Sequence, residues 1–143
     1  MKATMLLLLA GILAAWPAQS QVYTWLSVDV PFNFYVGDRA MSAGSYKILQ
    51  CGAPNIYQMT KMSDLADSVL FTGSINESPA YVGDKSELKF SKYDADHIFL
   101  RNVSRALSVS VALVRSRTER EHVTSRLISS TAPEVLVLPA QAQ

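Results

Sequence analysis

Val28-Asp29-Val30-Pro31-Phe32-Asn33-Phe34-Tyr35-Val36 carries an apolar side chain at every second position: Val28, Val30, Phe32, Phe34 and Val36. Strand side chains alternate between faces with period two, so this spacing places three valines and two phenylalanines on one side of an extended segment. Such a face needs a sheet or a core to cover it. Pro31 donates no ladder hydrogen bond, which predicts a sheet edge or a bulge there, with the two halves of the stretch pairing with different neighbours.

Working outward, Gln21 to Leu26 reads as an extended lead-in rich in β-formers. Gly37-Asp38 and Ser42-Ala43-Gly44 supply turns before a strand at Ser45 to Gln50, together a hairpin with a longer loop. Cys51 to Asn55 is a turn cluster, Ile56 to Met59 a short strand, Met62 to Asp67 a polar loop and Ser68 to Thr72 a compact apolar strand stopped by Gly73. Ser74 to Ser86 has no clear period and reads as a long exposed loop with a brief extended piece at Tyr81-Val82.

Glu87 to Tyr93 and His97 to Val103 form a second hairpin about the Asp94-Ala95-Asp96 turn. Leu107, Val109, Val111 and Leu113 alternate as a last strand. The period changes only at Ser116-Arg117-Thr118-Glu119, a capping box in which Glu119 is expected to reach back to the Ser116 amide; helix then continues from Arg120 to Ile128, with Val123 and Leu127 as a thin apolar stripe. Strands with turns between them and no interposed helices predict an all-β fold, an antiparallel sandwich or small barrel of about six to eight short strands with a short C-terminal helix.

Met1-Lys2, the apolar run Met5 to Trp16 and the small residues Ala18 and Ser20 make a secretory signal peptide, with cleavage expected after Ser20. The run falls short of the roughly 20 apolar residues of a spanning helix. The expected organisation is therefore a signal peptide at 1–20, a single β-rich domain with a peripheral helix at 21–128, and a flexible tail at 129–143. No transmembrane segment is expected after cleavage, and the expected location is secreted or periplasmic.

Loss of Lys2 reduces the 13 basic side chains to 12, equal to the 12 acidic ones, and a neutral chain argues against a general polyanion binder. The charge is unevenly placed, because residues 101–126 hold six arginines against Glu119 and Glu121. Arg115, Arg117 and Arg120 are the candidate anion-facing residues, set against the ordinary outcome of a solvated face with local pairing to the glutamates. Aromatic interleaving is absent there, so an envelope component or anionic surface is favoured over nucleic acid as partner.

Cys51 is the only cysteine, so no internal disulfide can hold the fold, and a buried inert thiol is expected ahead of pairing between chains. His97 lies within reach of Asp94, although turn aspartates more often bond their own backbone. Nothing in the spacing joins Cys51 to His97 as nucleophile and base. Asp64 with Asp67, and Asp94 with Asp96, lack the further oxygen ligands of a calcium loop, and the two histidines stand 25 positions apart. The six glycines are isolated and form no phosphate loop. No catalytic residue, cofactor or metal is expected. The triplets Asn76-Glu77-Ser78 and Asn102-Val103-Ser104 match the glycosylation acceptor pattern, which carries meaning only in a eukaryotic secretory pathway.

Three stretches, VDVPFNFYVGDRAMSAGSYKI (28–48), LKFSKYDADHIFL (88–100) and RSRTERE (115–121), resemble a family of small exported proteins of unassigned function, abundant in acidobacterial genomes. Its members pair a VPFxFxVG…PAGxY opening with an LxFxRYGDxYFL hairpin and a late KSRxERE segment. Here Ser42 stands where a proline is usual, Asp94-Ala95 where a glycine turn is usual, and the proline expected before Arg115 is missing. The resemblance implies export and a β-rich fold, and it brings no catalytic residue, cofactor or partner.

The function expected from all this is an exported, non-enzymatic β-domain with a binding or structural role at the cell envelope. The alternatives are a carrier of small hydrophobic ligands, with the Phe32 and Phe34 face lining a closed barrel, or an enzyme of unrecognised type. Candidate function lies with the Ser74 to Ser86 loop and the arginine-rich C-terminal side.

Overall fold

The computed structural model describes residues 24–53, 55–77, 83–126 and 132–142. The signal peptide, the start of the lead-in, the Tyr81-Val82 piece and Leu127 lie outside the described residues. Among the described residues the molecule is all-β with one short helix, in keeping with the alternation.

β1 (Thr24–Val30) stops just before Pro31, and β2 (Phe34–Val36) begins beyond it. The two halves of the deciding stretch then take different partners. β1 runs antiparallel to β4 (Gly44–Gln50), whereas β2 turns through Gly37-Asp38 into β3 (Arg39–Met41) and touches β8 (His97–Arg105) at Tyr35 and Phe99. Gly37 adopts φ +62°, a left-handed turn position that suits glycine. The expected long-loop hairpin between residues 24 and 50 thus carries a small hairpin of its own.

β5 (Ile56–Lys61) follows, and a two-residue turn leads into β6 (Asp64–Asn76), so the polar segment at Met62 to Asp67 is mostly strand and the Ser74 loop begins later than its composition suggests. β6 serves both halves of the sheet, pairing with β5 as far as Thr72 and with β9 (Val109–Leu113) from Gly73 onward. A Cβ on Gly73 would sit 2.4 Å from the Ala112 carbonyl oxygen, so the crossing requires glycine. β7 (Glu87–Asp94) and β8 form the second hairpin where the sequence places it. Leu107 falls in an exposed turn at φ 55° before β9, and does not join the last strand.

The segment expected as a flexible tail corrects that expectation. β10 (Glu134–Pro139) pairs with β7 and β11 (Gln141–Ala142) pairs with β1, separated only by Ala140, whose amide donates to the Ser86 carbonyl. The strand order β10-β7-β8-β9-β6-β5-β4-β1-β11 therefore begins and ends with consecutive pieces of chain, and the sheet curls back on itself. Leu136 and Leu138 pack inward while Val135 and Val137 face out; this alternation supplies the missing wall.

The interior is ring-packed. Phe34 meets Tyr46 and Phe90 edge-on at centroid distances of 5.4 and 5.5 Å, and Phe32 meets Phe90 at 5.2 Å. Val28, Val30, Phe34 and Val36 are buried and Phe32 is half-buried against the same cluster. No described helix is long and apolar enough to cross a membrane.

Candidate functional site at the helix and hairpin junction

α1 (Arg117–Arg126) starts where its caps are satisfied. The Glu119 amide donates to Ser116 Oγ at 3.2 Å, the expected half of the capping box, and the Thr118 amide donates to Asp38 Oδ1 at 2.9 Å. The Thr118 hydrogen bonds, backbone first, hold the Asp38 carboxyl below its ordinary value of 3.8. Asp38 belongs to the β2–β3 turn, so the cap also ties the helix to the sheet.

The other half of the capping box is absent for an instructive reason. Glu119 is turned inward and is 2% exposed. Its Oε1 accepts from the Tyr93 hydroxyl at 3.0 Å, its Oε2 accepts from Arg101 Nη1 at 3.1 Å, and Arg115 Nε stands 4.0 Å away. A buried carboxylate needs this many donors to offset its lost hydration. Burial first, then the neighbouring Glu119 carboxylate, raises the Tyr93 phenol above its ordinary value.

His122 lies three positions after Glu119 and therefore on the same face of the helix. Its ring stacks on that of His97 at 4.0 Å and 15°, and meets Tyr93 edge-on at 5.4 Å. Tyr35 lies parallel to the His97 ring at 6.4 Å and stacks on Phe99 at 5.0 Å. Asp94 spans one nitrogen of each imidazole: Oδ1 is 2.7 Å from His97 Nδ1 and Oδ2 is 3.3 Å from His122 Nε2.

Asp94 Oδ1 also accepts from the Asp96 amide at 2.9 Å, so the turn aspartate both bonds its own backbone and holds the histidine. Slight burial pulls the Asp94 acidity the other way, but the His97 hydrogen bond, the Asp96 amide and the charges of both histidines keep its carboxyl below the ordinary value. An ionised carboxylate only accepts, so His97 Nδ1 is the donor to Asp94 Oδ1, while His122 Nε2 faces Oδ2 as an ion-pair contact.

The sequence offers no reason to join His97 to His122. The fold does so because α1 is docked through Glu119 onto Tyr93 and Arg101 of the same hairpin that presents Asp94 and His97. The available signal was the i, i+3 pair Glu119 and His122 on a helix with a thin apolar stripe, which implies that the inward face is polar.

The arginines are dispersed. Arg115 turns toward Glu119, Arg117 Nε bonds Glu121 Oε1 at 2.8 Å on the exposed side, and Arg120 is exposed beside them. Cys51 is half-buried, with Leu49 O at 3.9 Å and Gln58 Oε1 at 3.8 Å as its polar neighbours. Neither of these contacts is with His97, Asp94 or His122. Asn102 donates to Ser110 Oγ within the β8–β9 pair, so this acceptor triplet is engaged in the sheet.

No family model, curated protein or solved structure matches this chain.

Proposed function

We propose that this protein is an exported, non-enzymatic β-domain, secreted or periplasmic, with a binding or structural role at the cell envelope. The observation that carries the reading is the leader at Met1 to Ser20, with its single early lysine, short apolar run and small residues before the cleavage point. The resemblance of residues 28–48, 88–100 and 115–121 to small exported acidobacterial proteins supports it. So do the polar contacts of Cys51, which are with Leu49 and Gln58, while His97 bonds Asp94.

The test is to express the whole chain in a Gram-negative host, fractionate the cells and take the intact mass of the product. Export predicts a periplasmic or extracellular chain beginning at Gln21. A cytoplasmic chain retaining Met1 to Ser20 would overturn the reading.

The carrier alternative needs an open apolar interior, and the packing of Phe32 and Phe34 against Phe90 and Tyr46 favours a filled one. Native mass spectrometry of the purified protein separates the two: a co-purified apolar ligand would favour the carrier. An anionic envelope partner would use Arg117 and Arg120 on the exposed helix face, with Arg115 beside them. Retention on heparin or on anionic vesicles is then expected to fall when Arg115, Arg117 and Arg120 are changed to Gln, and unchanged retention would remove that partner class.

A further inference from the structure

We propose that Asp94, His97 and His122 bind a divalent transition-metal ion of the zinc type. One carboxylate oxygen and one nitrogen from each histidine lie within 4.8 Å of one another. These three side chains come from a hairpin turn and a helix that are remote in sequence and locked together by the buried Glu119.

The chemistry of the donor set selects the ion. Two imidazoles and one carboxylate suit zinc and its neighbours, whereas calcium and magnesium take oxygen ligands almost throughout. Zinc–nitrogen and zinc–oxygen bonds of roughly 2.0–2.2 Å put donors around a tetrahedral ion about 3.3 Å apart. His122 Nε2 stands 3.3 Å from Asp94 Oδ2, at that value, and His97 Nδ1 stands 2.7 Å from Oδ1, so an ion would have to part the closer pair.

The stacked rings lie in planes only 15° apart, so converging both nitrogens on one ion requires one ring to turn about its soft χ2 torsion. His97 is the ring to move. It stands at the open end of the hairpin and its side chain is 36% exposed, against 17% for His122. A coordinating nitrogen that carries a proton passes it to the other nitrogen of the ring or to solvent as the ion replaces the His97–Asp94 hydrogen bond.

The surroundings fit a site held in place. The Asp96 amide fixes the Asp94 carboxylate, and the Glu119 hydrogen bond from Tyr93 fixes the helix that carries His122. Three protein ligands leave a fourth position toward solvent, where water or a donor group of another molecule completes the shell. The proposal is independent of the envelope reading, since export and metal binding are measured separately.

The test uses the full exported chain, purified without a histidine tag and stripped with chelator. Calorimetry with zinc chloride is expected to give one saturable ion per chain, and cobalt(II) is expected to give the intense visible absorption of a tetrahedral nitrogen–oxygen site. Asp94→Asn, His97→Gln and His122→Gln should each weaken binding at least tenfold, and circular dichroism of the metal-free variants separates loss of ligand from loss of fold. His97→Gln, at the exposed hairpin end, is the variant least able to disturb folding. Absence of saturable zinc binding to the wild-type chain would overturn the proposal. So would wild-type affinity in the folded His97→Gln protein.

Discussion

Glu119 shows how much one side chain fixes here. Its carboxylate receives Tyr93 and Arg101 and stands beside Arg115, so its removal would leave a cation and a phenol without their acceptor. Arg101 keeps some solvent access, which softens the cost of a broken buried pair, and Glu119→Ala is expected to destabilise the fold by about 2 kcal/mol. Tyr93→Phe removes the hydrogen bond to Glu119 and should cost about 1 kcal/mol. Urea midpoints of the two variants test the ranking, and equal midpoints would show that the ion pair contributes little. Phe34, 1% exposed and packed edge-on against Tyr46 and Phe90, belongs to another class: Phe34→Ala opens a cavity and is expected to cost roughly 3–5 kcal/mol.

Single elements carry their own devices. Asp38 caps α1 from a separate hairpin, and its carboxyl titrates below its ordinary value of 3.8 because the Thr118 amide bonds the ionised form. A depressed carboxyl contributes stability that is fully present above the unfolded value and is lost as pH falls through the folded one. The stability difference between wild type and Asp38→Ala should thus be full at neutral pH and shrink below pH 3.8. Denaturation curves at neutral and acid pH measure this, and a difference that persists unchanged in acid would rule out the ionised cap. In β6 the crossing at Gly73 tolerates no Cβ, and Gly73→Ala is expected to cost about 1–3 kcal/mol as β9 is forced aside.

At the scale of the whole molecule, closure depends on a segment whose composition suggests a tail. β10 covers the edge of β7 and β11 covers the edge of β1, so a chain ending at residue 131 would bare two strand edges at once. Exposed edges template pairing with other chains. Light scattering of that truncated protein is expected to show oligomers or aggregate, and a stable monomer with unchanged melting would refute the closing role. The segment's disguise has a physical basis: Glu134 to Pro139 is short, ends in proline and exposes Val135 and Val137, and it becomes a strand only because β7 offers it a ladder.

What the sequence determined by itself is the local geometry. The two-residue period of 28–36, the turn residues at Gly37-Asp38 and Ala95-Asp96 and the Ser116 cap are encoded within a few positions, and the all-β class with a late helix follows from them. The tertiary structure decided which distant residues meet. Glu119 reads as a reciprocal cap and is instead a buried anchor, because Tyr93 and Arg101 compete for its carboxylate from the facing hairpin. That anchor turns one helical face inward and brings His122 onto His97 and Asp94, a juxtaposition that depends on where the helix docks and leaves no mark in the spacing of the histidines.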